Sequence, residues 1–306
     1  MNTLKKRSFK QSLLEKESTT RKLLKNIGFT LLAATTFQAQ AASVWKVSSD
    51  TNTLYIGGTI HLLSEQDYPL PKAYEIAYQA SDKVIFETDM EVLNEPSFQK
   101  NLQAKMLYTD GTTIDKVLQP NVYNELKRYL DSRHIPIETV ESLKPSALAI
   151  SLSMVELRHL GFTSEGVDQF YSRKATQENK PRGWLEKPEA QVAMLTDLNT
   201  QDDNQVVEYA LSDIKDMAET MDSLRTSWRT GDMKTLASLE QAELKEDYPE
   251  IYDTLLAKRN ALWVPQIEAM LNNSDVAFIM VGAMHLAGPD SVLKSLKANG
   301  YKVEQL

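Results

Sequence analysis

Cysteine is absent from all 306 residues. That removes disulfides, zinc–thiolate sites, iron–sulfur clusters, lipoprotein acylation and thiol nucleophiles together. The chain has no H-E-x-x-H helix, which excludes a zincin, and no G-x-S-x-G elbow, which argues against a serine hydrolase of the α/β type. Tandem repeats of fixed period, low-complexity tracts and evident linkers are also missing, so one α/β domain with a helical insertion is the simplest organisation. Basic charge is scarce beyond the N-terminus. Lys5, Lys6, Arg7, Lys10, Lys16, Arg21, Lys22 and Lys25 fall in the first 41 residues, leaving 26 basic against 40 acidic residues, a net charge of −14. Such an excess repels phosphate backbones and anionic membranes, and no basic patch is segregated to offset it, so nucleic acid is excluded as an expected partner.

Long hydrophobic runs are almost as rare. The one candidate is "NIGFTLLAATTFQAQA", which follows the basic lead and ends in Ala39-Gln40-Ala41. A basic region, a short apolar core and an A-x-A end form a secretory signal peptide, assigned to residues 1–41. The core is too short and too threonine-interrupted to span a bilayer comfortably. The expectation is a domain over 42–306 with no membrane span, exported across an inner membrane into the periplasm.

What is present is an ordinary globular composition, 42% hydrophobic and 25% charged. The run "VWKVSSDTNTLYIGGTI" alternates as a hairpin with its turn at "SSDTN", and a helix is predicted near 73–80. "KVIFETD" at 83–89 is an apolar run bounded by charge, as in a strand buried on both faces. Residues 95–160 read as a helical insertion, with a proline entry and a glycine exit around "KPSALAISLSMVELRHLG". "EGVDQFYSRKATQENK" reads as a helix and "PRGWLEKPEA" as a short strand running into another. Longer helices are predicted over 204–229 and 248–271. In the first, Val207, Ala210, Ile214, Met217, Met221, Leu224 and Trp228 form a core stripe. The end of the chain reads as strand, helix, strand, with Gly300 as the helix stop.

Two stretches stand out. "YIGGTIHLL" places His61 three residues after Gly58, and "VGAMHLAGPD" places His285 three residues after Gly282. Both follow apolar strands, and ligands of open α/β sheets collect at the carboxyl ends of strands. Glycine there is expected to let the backbone turn sharply and point each imidazole over its strand end. Glu87 closes "VIFE" and Glu186 closes "RGWLE". Four strand exits thus carry two imidazoles and two carboxylates, a set suited to a divalent metal in a hydrolytic site. Arg259, in "KRNALW", is a candidate to neutralise an oxyanion or to anchor a carboxylate. Asp168 sits near a helix start, where it would stabilise the first turn. His134 and His159 have no such setting.

These stretches, with "EGVDQFYSRKATQENKPRGWLEKPEAQ", "KRNALWVPQIEAML" and the C-terminal "VGAMHLAGPDSVLKSLKANGYKVEQL", resemble the TraB/GumN family, whose animal relatives are the Tiki proteases that inactivate Wnt ligands. The resemblance runs from about Val44 to Leu306. It implies a mostly parallel or mixed sheet flanked by helices, of the kind shared with erythromycin-esterase-like and ChaN-like proteins. It also implies a site at His61, Glu87, Arg259 and His285, with Glu186 and Asp168 less firmly placed. The Tiki branch implies a metallopeptidase dependent on Mn or Co, with Zn as a further candidate. The expected function is a metal-dependent hydrolase of a peptide or small acyl substrate. His61, His285 and Glu87 would hold the metal, Glu87 and Glu186 would serve the chemistry, and Arg259 would stabilise the oxyanion. The rival expectation is an envelope protein that binds a peptide, a saccharide intermediate or haem without turnover.

Overall fold

Alternating apolar residues on both sides of a tight turn build the first hairpin. Strand β1 (Val44–Ser48) pairs antiparallel with β2 (Thr53–Thr59), Val47 opposite Leu54 and Trp45 opposite Ile56. The turn closes through Ser49 N–H donating to Asn52 O at 2.9 Å. This is a computed structural model, and it describes residues 42–198 and 202–306. The expected signal segment 1–41 lies outside the described residues.

The strands that follow are β3 (Leu62–Leu63), β4 (Lys83–Phe86), β5 (Ser164–Glu165), β6 (Arg182–Trp184), β7 (Ala277–Gly282) and β8 (Lys302–Gln305). Six of them form one mixed sheet in the order β6-β4-β7-β2-β1-β8. The four strands β6, β4, β7 and β2 are parallel neighbours, while β1 runs antiparallel to both β2 and β8. A separate two-stranded ribbon joins β3 to β5. The fold is therefore α/β with a mixed, mostly parallel sheet, as the sequence indicates.

Helices cover both faces, which is why the central strands are apolar on both sides. On one face, Phe278 and Met280 of β7 and Val84 and Phe86 of β4 pack with Tyr74 and Tyr78 of α1 (Lys72–Gln79). Beyond the helices α2 (Pro96–Met106), α3 (Pro120–Ser132) and α4 (Pro145–His159), α5 (Val167–Glu178) adds Tyr171 to that cluster. After α6 (Pro188–Leu198), the 28-residue α7 (Asp203–Thr230) adds Leu224 and Trp228. On the other face, Leu54, Ile56, Ile279 and Val281 meet Trp263, Ile267 and Leu271 of α8 (Lys258–Leu271) and Leu293 and Leu296 of α9 (Val292–Ala298).

Helix α7 joins the sheet to the helical layer. Its N-terminal two-thirds carries Val207, Leu211, Ile214 and Met217 against Leu126, Leu130, Leu148 and Leu152 of α3 and α4, and its C-terminal end reaches the sheet. The expected stripe is thus a core stripe, with Met221 half-buried between the two clusters. The helix predicted over 248–271 is interrupted by a π-helical turn at Asp253–Ala257, just before α8. Short helical turns between 233 and 247, which periodicity did not mark, connect α7 to it. Gly300 stops α9 with φ of 92°, as expected.

Candidate active site

The parallel strands place the expected residues in a row. At the carboxyl ends of β6, β4, β7 and β2, adjacent in that order, stand Glu186, Glu87, His285 and His61. With neighbouring strands about 4.8 Å apart, the row spans about 14 Å from end to end, too far for all four side chains to meet one atom. Neighbours in the row do interact.

The two G-x-x-H stretches do not use glycine as expected. Gly57 and Gly58 continue β2, Gly282 ends β7 with φ of −48°, and none of the three has a positive φ. Their role is close approach. A Cβ on Gly57 would lie 2.9 Å from the Phe278 ring, and one on Gly58 would lie 3.1 Å from Ala283 Cα. The missing side chains let β2 lie against the turn that carries His285. The Gly58 carbonyl is fixed from the other side by Trp228 Nε1–H at 2.8 Å and by the Tyr74 hydroxyl.

Arg259 organises the row. It is 13% exposed and its five N–H donors are all engaged. Nε donates to Glu186 Oε1 at 2.9 Å, and Nη2 donates to Glu87 Oε2 at 2.6 Å and Glu186 Oε2 at 3.1 Å. Nη1 donates to His285 Nε2 at 3.1 Å and Leu255 O at 3.3 Å. The expected oxyanion role does not match this arrangement, because no donor is left over. The anchoring role does match it. Glu186 also accepts from Trp263 Nε1 at 2.9 Å, so both of its oxygens are occupied and it holds Arg259 in place rather than facing a substrate.

His285 is buried against the Trp263 ring, centroid to centroid 4.4 Å. Asn260 Nδ2 donates to Asp290 O at 2.9 Å, which turns Asn260 Oδ1 toward His285 Nδ1 at 2.6 Å. Nδ1 is therefore the protonated nitrogen, and Nε2 keeps its lone pair. Burial pushes the His285 pKa down to about 3, and Arg259 pushes the same way. For Glu87, burial would raise the pKa, but the nearby positive charges and the Gly282 N–H, 2.6 Å from Oε1, hold the carboxyl below its ordinary value. Since His285 is neutral at pH 7, Arg259 and the His61 imidazolium are the cations responsible there. A carboxylate held so low is a better ligand or acceptor than a base.

His61 differs from the other three. Its side chain is 66% exposed, and its Nδ1 lies 2.9 Å from Asp168 Oδ2. The Asp168 charge raises its pKa to about 9. Asp168 reaches it because the β3–β5 ribbon docks the start of α5 onto the His61 backbone, with Val167 N–H donating to Ile60 O at 3.1 Å. Gly166 makes this possible, since a Cβ there would sit 2.3 Å from His61 O. Asp168 thus partners an imidazole rather than only stabilising a helix start. Gly166, Asn260, Trp263, Thr59 and Thr88 are site residues whose roles the sequence did not reveal. Asn260 and Trp263 share the "KRNALW" stretch with Arg259, one residue and one helical turn beyond it.

Two cavities open beside the row. The larger, 860 Å³, is lined by polar side chains including Thr59, Thr88, Asp168, Gln169, Arg173 and Gln191. The Thr59 and Thr88 hydroxyls and Asp168 Oδ1 are buried, lack a protein partner, and belong to residues lining this cavity. The smaller, 410 Å³, is walled by apolar side chains and reaches Arg259 and His285. Thr59, His61 and Glu87 line both, so the part of the row at His61 and Glu87 lies between them. His134 and His159 line neither of these cavities.

By donor type the set fits a divalent metal. His61 and His285 each have Nδ1 fixed by an oxygen, which is how metal-binding histidines are usually oriented, and Glu87 supplies a carboxylate; an ion would have to displace the Arg259 N–H from His285 Nε2 and the proton from His61 Nε2. As arranged, however, no three His, Asp or Glu side chains among the described residues are gathered to hold an ion. The Arg259 guanidinium provides the cation between Glu87 and His285, whose own closest approach is 3.9 Å.

The chain matches the TraB/PrgY/gumN family over residues 43–305. Similar curated proteins include Metalloprotease TIKI1 of Danio rerio, 25% identical over 85% of this chain and 62% of its own length. Metalloprotease TIKI2 of the same fish is 25% identical over 82% of the chain and 58% of its own length. The uncharacterized protein YbaP of Escherichia coli (strain K12) is 25% identical over 78% of the chain and 86% of its own length. The chain spans about three-fifths of the length of those two fish proteins. No solved structure matches it.

Proposed function

For a chain that belongs to the TraB/PrgY/gumN family, we propose an exported, periplasmic, metal-dependent hydrolase acting on peptide-like substrates. The observation that carries this reading is the row of Glu186, Glu87, His285 and His61 at the ends of four adjacent parallel strands, with Glu87 and His61 lining two cavities. The distant likeness to proteins named metalloproteases supports the metal and the peptide.

His285 Nε2, His61 Nε2 and Glu87 would hold the ion, with Mn or Co the first candidates and Zn the third. When bound, the metal would polarise the substrate carbonyl and activate water. Asn260 and Asp168 orient the two imidazoles. Arg259 keeps Glu87 ionised and, with Glu186, fixes its rotamer. The Thr59 and Thr88 hydroxyls are buried without protein partners in residues that line the larger cavity, so a small rotation there would let them donate to a bound group. The scissile bond would lie at His61 and Glu87, its flanking groups in the two cavities.

The test compares metal content and peptide hydrolysis in the purified wild type, His61→Ala, His285→Ala and Glu87→Gln proteins. Near-stoichiometric Mn, Co or Zn in the wild type, depleted in both histidine variants, together with cleavage lost in Glu87→Gln, is expected. Equal and negligible metal in all of them, or retention of intact peptide with no product, would overturn the reading in favour of a binding protein.

A further inference from the structure

The 410 Å³ cavity opens onto three of the four row residues, Glu87, His285 and His61. Its walls are Met154 and Leu157 from α4, Met221 and Leu224 from α7, Leu255 and Leu256 from the π-helical turn, and Met284 from the turn bearing His285. Its polar lining residues are Thr59, His61, Glu87, Arg259 and His285, all at or against the strand ends. An apolar chamber with its polar groups confined to one rim is the usual form of a small-molecule or side-chain pocket. Three of its lining side chains are methionines, whose flexible thioethers adapt to differently shaped apolar partners.

The geometry points to this cavity as a specificity pocket for a bulky apolar side chain, of leucine, methionine or phenylalanine type, on the substrate residue next to the scissile bond. Three observations support that occupant. The cavity is continuous with the reactive row, so whatever fills it is held within reach of Glu87 and His285. The larger cavity on the other side of Glu87 is lined on one part by Thr88, Asp168, Gln169 and Gln191, which suit the hydrogen-bonding remainder of a peptide chain. The pocket volume exceeds what a serine- or alanine-sized side chain would fill, and an underfilled apolar cavity forfeits the contacts of its walls. The chemical class is therefore a peptide-type chain with a large apolar residue at one fixed position, and methionine lining favours tolerance among such residues over selection of a single one. This assignment deepens the peptidase reading and rests on it for the word "scissile", but not for the pocket itself.

The test uses binding and turnover separately. Protein labelled with ¹³C at the methionine methyls is titrated with N-acetyl-leucinamide and with N-acetyl-serinamide. The methyl signals of Met154, Met221 and Met284 should shift saturably with the first and not with the second. In Leu157→Trp, which fills the chamber without touching the row, those shifts should vanish. Should that variant fail to fold, Leu157→Ala serves instead, and it should extend binding to N-acetyl-tryptophanamide. Equal response to both amides, or none, overturns the pocket. In a peptide library, Leu157→Trp should move the preference at that position toward alanine by 10-fold or more, the order of discrimination that one or two methylenes give. Cleavage without any apolar preference in the wild type overturns the pocket and leaves the hydrolase reading intact. Absence of cleavage with the leucinamide shifts present overturns the hydrolase reading and leaves the pocket standing.

Discussion

Arg259 shows how far one side chain can determine a site. Two carboxylates and an imidazole are brought together at buried strand ends by a single guanidinium with all five donors used. Lysine offers three donors from a point and cannot reproduce the fork, so Arg259→Lys should leave Glu186 or Glu87 short of partners. The expected loss is ~2–4 kcal/mol in urea unfolding, somewhat less than the ~3–5 kcal/mol of removing one partner of a buried pair because lysine keeps the charge. A loss below ~0.5 kcal/mol would mean the network contributes little. Glycine roles can be tested in the same way. Gly166 has an ordinary φ of −77°, yet its Cβ would collide with the His61 carbonyl at 2.3 Å, whereas Gly161 has φ of 87° and open space. Gly166→Ala should therefore cost more than Gly161→Ala, ~3 against ~1 kcal/mol, because backbone overlap is harder to relieve than an unfavourable dihedral. Thermal midpoints measured side by side give the order, and the reverse order would show that the ribbon can shift.

Elements were legible where periodicity is long enough to read. The hairpin, the buried strand before Glu87, helix α7 and its stripe, and the strand-helix-strand ending all follow from alternation or from a 3.6-residue repeat. The β3–β5 ribbon did not, since two residues per strand carry no period, and yet it brings Asp168 to His61. The π-helical turn before Arg259 is equally silent, because one extra residue in a turn leaves no compositional mark. The site was legible as a list of strand-end residues but not as a set of contacts. That Arg259 would join Glu87 to Glu186 depends on β4 and β6 being neighbours, which no local pattern states. The helical layer has its own anchor. Arg133 donates to both oxygens of Glu156 at 2.7 and 2.8 Å, and the Tyr129 hydroxyl adds a bond at 3.1 Å, tying α3 to α4. Burial would raise the Glu156 pKa, but these hydrogen bonds outweigh it and lower the folded-state value. The sign follows: the stabilisation is complete above the ordinary glutamate pKa of about 4.3 and is lost as pH falls through the lower folded value. Glu156→Gln should be less stable than the wild type by ~2 kcal/mol at pH 7. That gap should close as the pH drops below about 4. A gap that stays constant into acid would assign the loss to packing instead.

At the scale of the whole molecule, the sheet contributes polarity and the helices contribute apolar walls, so on the proposed reading reactivity and side-chain recognition would come from different layers. Charge adds a third influence on substrate choice. Residues 42–306 carry 26 basic and 40 acidic side chains, net −14. The larger cavity, moreover, has Glu87, Glu91 and Asp168 on its wall against Arg173 and the His61 imidazolium. A field of that sign concentrates cationic substrates at the mouth of a cleft and disfavours anionic ones. For peptides sharing the same apolar residue at the scissile position, kcat/KM should be higher with flanking lysines than with flanking glutamates. The difference should shrink several-fold on going from low salt to about 1 M, where the Debye length falls to about 3 Å. An apolar pocket responds in the opposite way, since burial of the leucine-type side chain is not screened by salt. Measured across an ionic-strength series, the two contributions separate: the lysine advantage decays while the preference for the apolar residue persists. A charge preference that survives high salt would place it in a direct contact within the cavity rather than in the field of the molecule.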